Sequence, residues 1–158
     1  MRLSDRGSGL PEHAAAWVGR VRAANRNESF SVTGKAMTEA VGGGVELPGD
    51  LARAVELATD RKGGDMVVLD LRGLSDATDY FFLVTGTSDM HVRSIAEHVV
   101  EELKKDGVRP SHVEGLRSGR WVLIDYIDFV VHVFHPAARE FYQLERLWGD
   151  APAHALEA

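Results

Sequence analysis

Cysteine is absent from this chain of 158 residues, which excludes disulfide bonds and thiol chemistry and permits a reducing compartment. Long apolar runs are missing as well, since no segment approaches the ~20 consecutive apolar residues of a membrane-spanning helix. The N-terminus also lacks the uninterrupted apolar core of a secretory signal peptide. Together these absences predict a soluble protein of the cytoplasm.

Positive charge is scarce everywhere except at the N-terminus. Residues 1–36 contain six Lys and Arg against three Asp and Glu, a net charge of +3, whereas residues 37–158 contain 12 against 21, a net charge of −9. A surface with this acidic excess repels a phosphate backbone on average. A basic protein is therefore the expected direct partner if the chain acts on nucleic-acid machinery.

The chain is expected to divide into three parts. Residues 1–47 show little periodicity and contain the flexible run Gly42 to Gly44, which indicates a disordered N-terminal arm. Residues 48–150 carry the helix and strand patterns of one ordered domain. Residues 151–158 are predicted to be a flexible C-terminal tail.

The first half of the ordered domain is predicted to contain two helices and two strands. Asp50 is expected to cap the first helix, which Gly63 and Gly64 end. Strands follow at residues 66–71 and 80–85, and their connection is too short for a parallel crossover, so they are expected to be antiparallel. Apolar residues then recur at helical spacing from Val92 to Leu103.

The second half centres on a hairpin from Trp121 to Phe134. Its two runs, residues 121–124 and 129–134, consist of β-branched and aromatic residues on both faces, which is typical of strands covered on both sides. A short strand at residues 112–114 precedes them, and one last helix is expected from Pro136 to Gly149. The fold class is therefore α/β, with a mixed five-stranded sheet flanked by helices.

Catalytic patterns in the sequence are weak. The segment from Thr85 to Ser88 joins a strand to a helix N-terminus, where backbone N–H groups can hold a phosphate, but one glycine falls short of a nucleotide-binding loop and Thr and Ser are ordinary caps. Asp125 and Asp128 are three residues apart and do not share a strand face, and Asp70 stands alone. Metal-dependent nucleotidyl transfer is poorly supported.

Histidines offer two further candidates. His91 and His98 lie seven residues apart with Glu102 one turn further, a conceivable metal cluster for which a solvated helix face is the commoner meaning. His132 lies between two valines of the hairpin, where a core histidine satisfied by a neighbour is commoner than a general base. No metal, no cofactor and no catalytic residue is predicted.

Four blocks of sequence resemble the ribosomal silencing factor family, also called Iojap-like. They are residues 78–96, Glu114 and Gly115, Trp121 to Phe134, and residues 139–148. Their order and spacing also agree with the family, and the resemblance spans about Leu51 to Asp150. The arm before residue 48 has no counterpart in the family pattern.

The resemblance implies a binding protein that has a nucleotidyltransferase-like fold without the catalytic carboxylate pair. Family members attach to the large ribosomal subunit through ribosomal protein L-fourteen and block joining of the small subunit, which represses translation when nutrients are scarce. It also implies a possible homodimer and no sequence-specific nucleic-acid contact. The alternative from a different class is a nucleotide-binding or nucleotidyltransferase-like enzyme.

The resemblance also identifies candidate partner-binding residues. The family motif places Trp121 and Asp125 on one face of the hairpin, with Glu114 beside them, and alternation agrees because residues 121, 123 and 125 share a side of their strand. The alternative for Trp121 is a core residue. Three more residues match family positions and equally suit the core: Tyr80, His132 and Arg139.

Overall fold

A computed structural model describes residues 46–156, which contain four helices and six strands. In chain order these are α1 (Gly49–Asp60), β1 (Gly64–Asp70), β2 (Tyr80–Thr85), α2 (Asp89–Lys105), β3 (His112–Glu114), β4 (Trp121–Asp125), β5 (Phe129–Phe134), α3 (Pro136–Tyr142), α4 (Leu144–Leu147) and β6 (Ala153–Ala155). The predicted arm before residue 46 lies outside the described residues. None of the described helices is long and apolar enough to cross a membrane.

The strands form one mixed sheet in the order β3-β4-β5-β2-β1-β6. β2 and β5 are parallel, and every other neighbouring pair is antiparallel, including β1 with β2 as predicted. The parallel pair needs a long crossover, which α2, β3 and β4 supply. The hairpin of β4 and β5 therefore lies inside the sheet, so the edge strands open to a partner are β3 and β6.

Consecutive strand residues point to opposite sides of the sheet, and helices cover both sides. One face packs against α1 and α2 and includes Val68, Phe82 and Val131. The other face carries Leu69, Phe81 and Val130 and packs against residues of α3 and α4. The near-continuous apolar runs of β2 and β5 follow from this double coverage.

Helix α2 begins at the upper end of the sheet, where β2 and β5 finish, and runs back toward the opposite end. The N-cap of α2 is Ser88, whose hydroxyl accepts the His91 backbone N–H at 3.1 Å. Gly107 ends that helix with φ +89°, a conformation that glycine adopts without steric cost. The predicted Asp50 cap is wrong: Pro48 is the N-cap, so α1 begins two residues earlier than predicted, and Asp50 lies in its first turn without a side-chain capping bond.

The predicted single last helix is also wrong. Gln143 has φ 47° and ψ 60°, so the chain turns there and separates α3 from α4. Phe141, just before the break, is 75% exposed. Leu144 and Trp148 do reach the core. An amide side chain carries little signal for a left-handed residue, which is why the pattern suggested a continuous helix.

The sheet has six strands rather than the predicted five. β6 pairs with β1 through Val67–Ala155 and Leu69–Ala153, and Ala151 just before it is buried. The expectation that residues 151–158 form a flexible tail is therefore wrong for residues 151–156. A strand of Ala-His-Ala lacks β-branched residues, so its β propensity is low and the sequence did not predict it.

Candidate partner-binding surface

Trp121 opens β4 and lies in the core, with 1% of its surface exposed. Its ring packs against Tyr142 of α3 at 4.8 Å between centroids and against Phe134 of β5 at 5.1 Å. Alternation correctly placed Trp121 on the same side of the strand as Asp125, but the helix that follows β5 covers the start of that side. The expectation of an exposed aromatic anchor is therefore corrected, and Trp121 is a core residue.

His132 lies beside Trp121 on β5 and is fully buried. The Trp121 indole N–H donates to its Nδ1 at 3.0 Å, so Nδ1 is the acceptor and the ring is neutral. Burial lowers the pKa of His132 to about 3. A ring held neutral in this way supports the core interpretation of His132 over the role of general base.

Glu114 and Asp125 remain at the surface of this side of the sheet. Pairing of β3 with β4 sets His112 opposite Asp125 and Glu114 opposite Leu123, so all four side chains point to one face. The Glu114 carboxylate lies 2.5 Å from His112 Nε2. Asp125 accepts the Ile127 backbone N–H at 2.7 Å, which fixes the turn.

Tyr80 lies apart from these residues. It is buried in the core on the opposite face of the sheet, with Tyr126 and Phe129. The Arg72 guanidinium lies 5.2 Å from the centre of its ring, and burial raises the pKa of the Tyr80 hydroxyl. Tyr80 therefore does not share a surface with Asp125.

Arg139 connects four parts of the fold. Its guanidinium donates to the Asp65 carbonyl at 2.5 Å, to the Thr85 hydroxyl at 2.7 Å and to the Glu145 carboxylate at 2.8 Å. These bonds tie α3 to the ends of β1 and β2 and to α4. Arg139 is thus mostly committed within the fold and holds α3, which carries Tyr142, over Trp121.

Three surface features were missed by sequence reasoning. Ile127, at the tip of the hairpin, is 62% exposed and has φ 75°. Tyr142 forms the layer above Trp121, and Phe141 beside it is exposed. A signal for Ile127 was present, since it is an apolar residue within the polar break from Asp125 to Asp128.

The residues considered for phosphate or metal have partners within the fold. The Thr87 backbone N–H donates to His91 Nδ1 at 2.8 Å, and His91 Nε2 lies 2.7 Å from the Arg61 carbonyl oxygen. His98 faces Asp60 at 3.5 Å. Residues 46–156 contain no group of three or more metal-ligating side chains. These histidines join α2 to the end of α1.

Comparison with known proteins identifies the domain. The model of the family described as "Ribosomal silencing factor during starvation" matches residues 46–158. The ribosomal silencing factor of Bacillus subtilis is 40% identical over 104 residues, which cover 66% of this chain and 88% of that protein. That of Halalkalibacterium halodurans is 41% identical over 107 residues, covering 68% and 92%.

A solved structure agrees with this relationship. A crystal structure of a protein from Chromobacterium violaceum superposes with a TM-score of 0.64 at 39% identity and covers 66% of this chain and 88% of that one. Both the resemblance noted in the sequence and the α/β fold class are thereby confirmed. The chain belongs to the ribosomal silencing factor family, whose members regulate the ribosome without being enzymes.

Proposed function

We propose that this protein binds the large ribosomal subunit through ribosomal protein L-fourteen and sterically blocks joining of the small subunit. Translation is thereby repressed under nutrient limitation, in the cytoplasm. The observation that carries the proposal is family membership, which implies binding to the ribosome. The site, the partner and the blocking mechanism are the steps that the experiments below test.

The charge of the domain supports a basic protein partner. Residues 46–156 contain 12 Lys and Arg against 19 Asp and Glu, a net charge of −7. Three acids lie at the hairpin tip, where the Asp79 backbone N–H donates to the Asp128 carbonyl, and no cationic side chain of the described residues lies within 4.0 Å of them, in contrast to the paired Asp70. They are Asp79, Asp125 and Asp128. Such unpaired charge accelerates encounter with a basic protein and orients it.

The proposed contact surface is the face of β3 and β4 that carries Glu114 and Asp125. Trp121 and His132 lie beneath it and support Tyr142, which forms its rim. Arg139 positions the same helix through its bonds to the sheet. Tyr80, on the opposite face, contributes through the core. The six residues identified by the family motif thus divide into two contact residues and four supporting ones.

A variant at Asp125 tests this surface better than one at Trp121. Truncating the buried Trp121 to Ala removes core contacts and costs about 3–5 kcal/mol of stability, so its binding defect would be ambiguous. Asp125→Asn retains an oxygen that accepts the Ile127 N–H and removes only the charge. Asp50→Asn, an exposed acid in the first turn of α1, is the matched control.

The experiment is sedimentation with purified large subunits alone, without nucleotide, in the magnesium-containing buffer that subunit joining requires. We expect the wild-type protein to co-sediment and to reduce formation of whole ribosomes when small subunits are added. Asp125→Asn should bind more weakly and depend less on salt, because screened attraction is lost, while Asp50→Asn behaves as wild type. Turnover of a nucleoside triphosphate with magnesium would instead support the alternative of a nucleotidyltransferase-like enzyme.

A homodimer is a further part of the proposal. The exposed edges of the sheet are β3 and β6, and an open edge can pair with a second copy. Analytical ultracentrifugation of the free protein and of the mixture with subunits tests both the dimer and its competition with the ribosome. A monomer at every accessible concentration would contradict the dimer and leave ribosome binding standing.

A further inference from the structure

Basic side chains gather at the upper end of the molecule, at the opposite end of β4 from the acidic hairpin tip. The end of α1, the first turns of α2 and the turn between β3 and β4 meet there. His91 on α2 contacts the Arg61 carbonyl oxygen at 2.7 Å, and the Arg93 guanidinium donates to the Arg117 carbonyl at 3.1 Å. These contacts join the three segments that carry the basic patch, defined as Arg61, Lys62, Arg93, Arg117 and Arg120.

A glycine permits this close approach. Gly119 in the turn between β3 and β4 has φ +70°, and a Cβ atom there would lie 2.6 Å from the Asp89 carbonyl oxygen and 2.9 Å from Arg93 Nη1. Any larger residue would push the turn away from α2. The turn is thus held against the helix, which keeps Arg117 and Arg120 near Arg93.

The basic side chains of the patch are not held in ion pairs. Arg53, Arg72 and Arg139 each bond a carboxylate at 3.1 Å or less. Within residues 46–156, by contrast, no carboxylate forms an ion pair with the five side chains of the patch. Five of the 12 basic residues of a domain with net charge −7 are therefore concentrated and available at one end.

Two of these arginines line one shallow depression. Arg61 and Arg93 border a cavity of about 350 Å³ together with Met90 and Ser94, while Glu97, His98 and Glu101 complete its lining. Arg61 Nη2 lies 3.4 Å from His98 Nδ1, and Arg93 uses Nη1 for the Arg117 carbonyl, so the remaining N–H groups of both guanidiniums stay available. The two carboxylates lie further along α2 and restrict an anion to the arginine end.

We propose that the basic patch binds the sugar-phosphate backbone of RNA on the large ribosomal subunit, without reading its sequence. Guanidinium groups present paired donors that match phosphate oxygens, and phosphate contacts orient a protein on nucleic acid without specifying bases. The acidic remainder of the domain repels RNA, so only this end can face it. The inference rests on the proposed attachment to the large subunit, which supplies the RNA.

Two arginine pairs in the full-length chain provide the test. Arg61→Ala with Arg93→Ala removes two charges from the patch, and Arg53→Ala with Arg72→Ala removes two carboxylate-paired charges elsewhere. The net charge and the basic N-terminal arm are the same in both double variants. Circular dichroism establishes that both are folded before any binding is measured.

The first readout is the anisotropy of a labelled RNA hairpin of arbitrary sequence, titrated at several salt concentrations. Log K falls linearly with log salt, and each lost phosphate contact makes this negative slope shallower by about 0.7–0.9. We therefore expect the patch variant to bind roughly ten-fold more weakly at low salt, with a slope smaller by about 1.5, and the control to stay within two-fold of wild type. Equal behaviour of the two double variants overturns the proposal.

The second readout is sedimentation with large subunits at increasing salt. If the patch variant dissociates at lower salt than the control, the RNA contact also operates on the ribosome. If wild-type protein sediments and the patch variant matches it at every salt, the RNA contact is refuted while the proposed function stands. Loss of subunit binding with unchanged RNA affinity would instead assign the patch to an acidic protein. Failure of the wild type to sediment refutes the proposed function and leaves the hairpin titration to decide the patch.

Discussion

At the residue scale, one hydrogen bond determines the protonation state that the core tolerates. The Trp121 indole N–H needs an acceptor at His132 Nδ1, where it donates at 3.0 Å. A proton on Nδ1 would remove that acceptor and place a charge in a fully buried site. The neutral ring is therefore part of the packing between β4 and β5, and its protonation is coupled to folding.

Acid should destabilise the protein through His132. Its pKa is about 3 in the folded state and about 6.5 in an unfolded chain, so below pH 6.5 the unfolded state binds the additional proton. The contribution of His132 to the free energy of unfolding is fully present above pH 6.5 and declines as pH falls toward 3. The decline is about 2 kcal/mol between pH 7 and pH 5. Urea denaturation at these two pH values should show this loss in wild type and its absence in His132→Gln. The same pH dependence in both proteins would contradict the assignment, and His154→Gln on β6 is the control.

A second residue-scale prediction concerns the tip of the hairpin. Ile127 is β-branched, has φ 75° and is 62% exposed, and the left-handed conformation costs a non-glycine residue about 1–2 kcal/mol. Ile127→Gly removes this strain and retains the N–H that Asp125 accepts. Because glycine also adds entropy to the unfolded chain, we expect a net gain of about 1 kcal/mol in urea denaturation. Ile127→Val keeps the strain and should show no gain, and a less stable glycine variant would refute the argument.

Individual contact residues were predicted less well than their strand. Alternation correctly placed Trp121, Leu123 and Asp125 on one side of β4, because period two is a local property. Whether that side is covered depends on Tyr142, which belongs to α3, the helix that follows β5 in the sequence. Burial of Trp121 is thus a tertiary property that the hairpin sequence alone does not contain.

At the element scale, boundaries followed local chemistry wherever it was strong. β2, β3 and β5 have the predicted bounds, since β-branched and aromatic runs or flanking turn residues delimit them. The N-cap of α2 lies within the segment from Thr85 to Ser88, where Thr and Ser were expected to be ordinary caps. The break at Gln143 and strand β6 were missed, because neither a left-handed glutamine nor Ala-His-Ala has a distinctive propensity.

Strand β6 leads to an element-scale prediction. It covers the outer edge of β1, and the chain leading into it adds the Asp70 N–H bond to the Pro152 carbonyl at 2.9 Å. Ending the chain after Asp150 removes these bonds and buried Ala151, and exposes an apolar edge strand. We expect a lower melting temperature and concentration-dependent association, measured by thermal melts and light scattering. Removing only residues 157–158 is the control, and an unchanged melting temperature in the longer truncation would show that β6 contributes no stability.

At the scale of the whole molecule, charge divides the domain into two ends. Unpaired acids surround the hairpin tip, whereas the basic patch occupies the end where α2 begins. The negative net charge predicted repulsion from RNA. A net charge does not show where the individual charges lie, so it could not predict the basic patch. The folded arrangement permits a protein contact and an RNA contact on different surfaces of the same acidic domain.

The domain boundary provides the last prediction, which concerns residues 1–45. The family match begins at residue 46, and the Bacillus subtilis relative aligns over 88% of its length with only 66% of this chain, so at most 12% of that relative can precede the domain. Leu47 packs against the core, which places the cut before Glu46 rather than after residue 47. A chain of residues 46–158 should keep its cooperative melt and most of its affinity for large subunits, with a modest loss at low salt because a charge of +2 is removed. Circular dichroism melts and subunit sedimentation measure both properties. A chain of residues 48–158 provides the contrast, because loss of Leu47 should lower its melting temperature. Unfolding of the chain of residues 46–158 would instead show that the domain begins within the N-terminal arm.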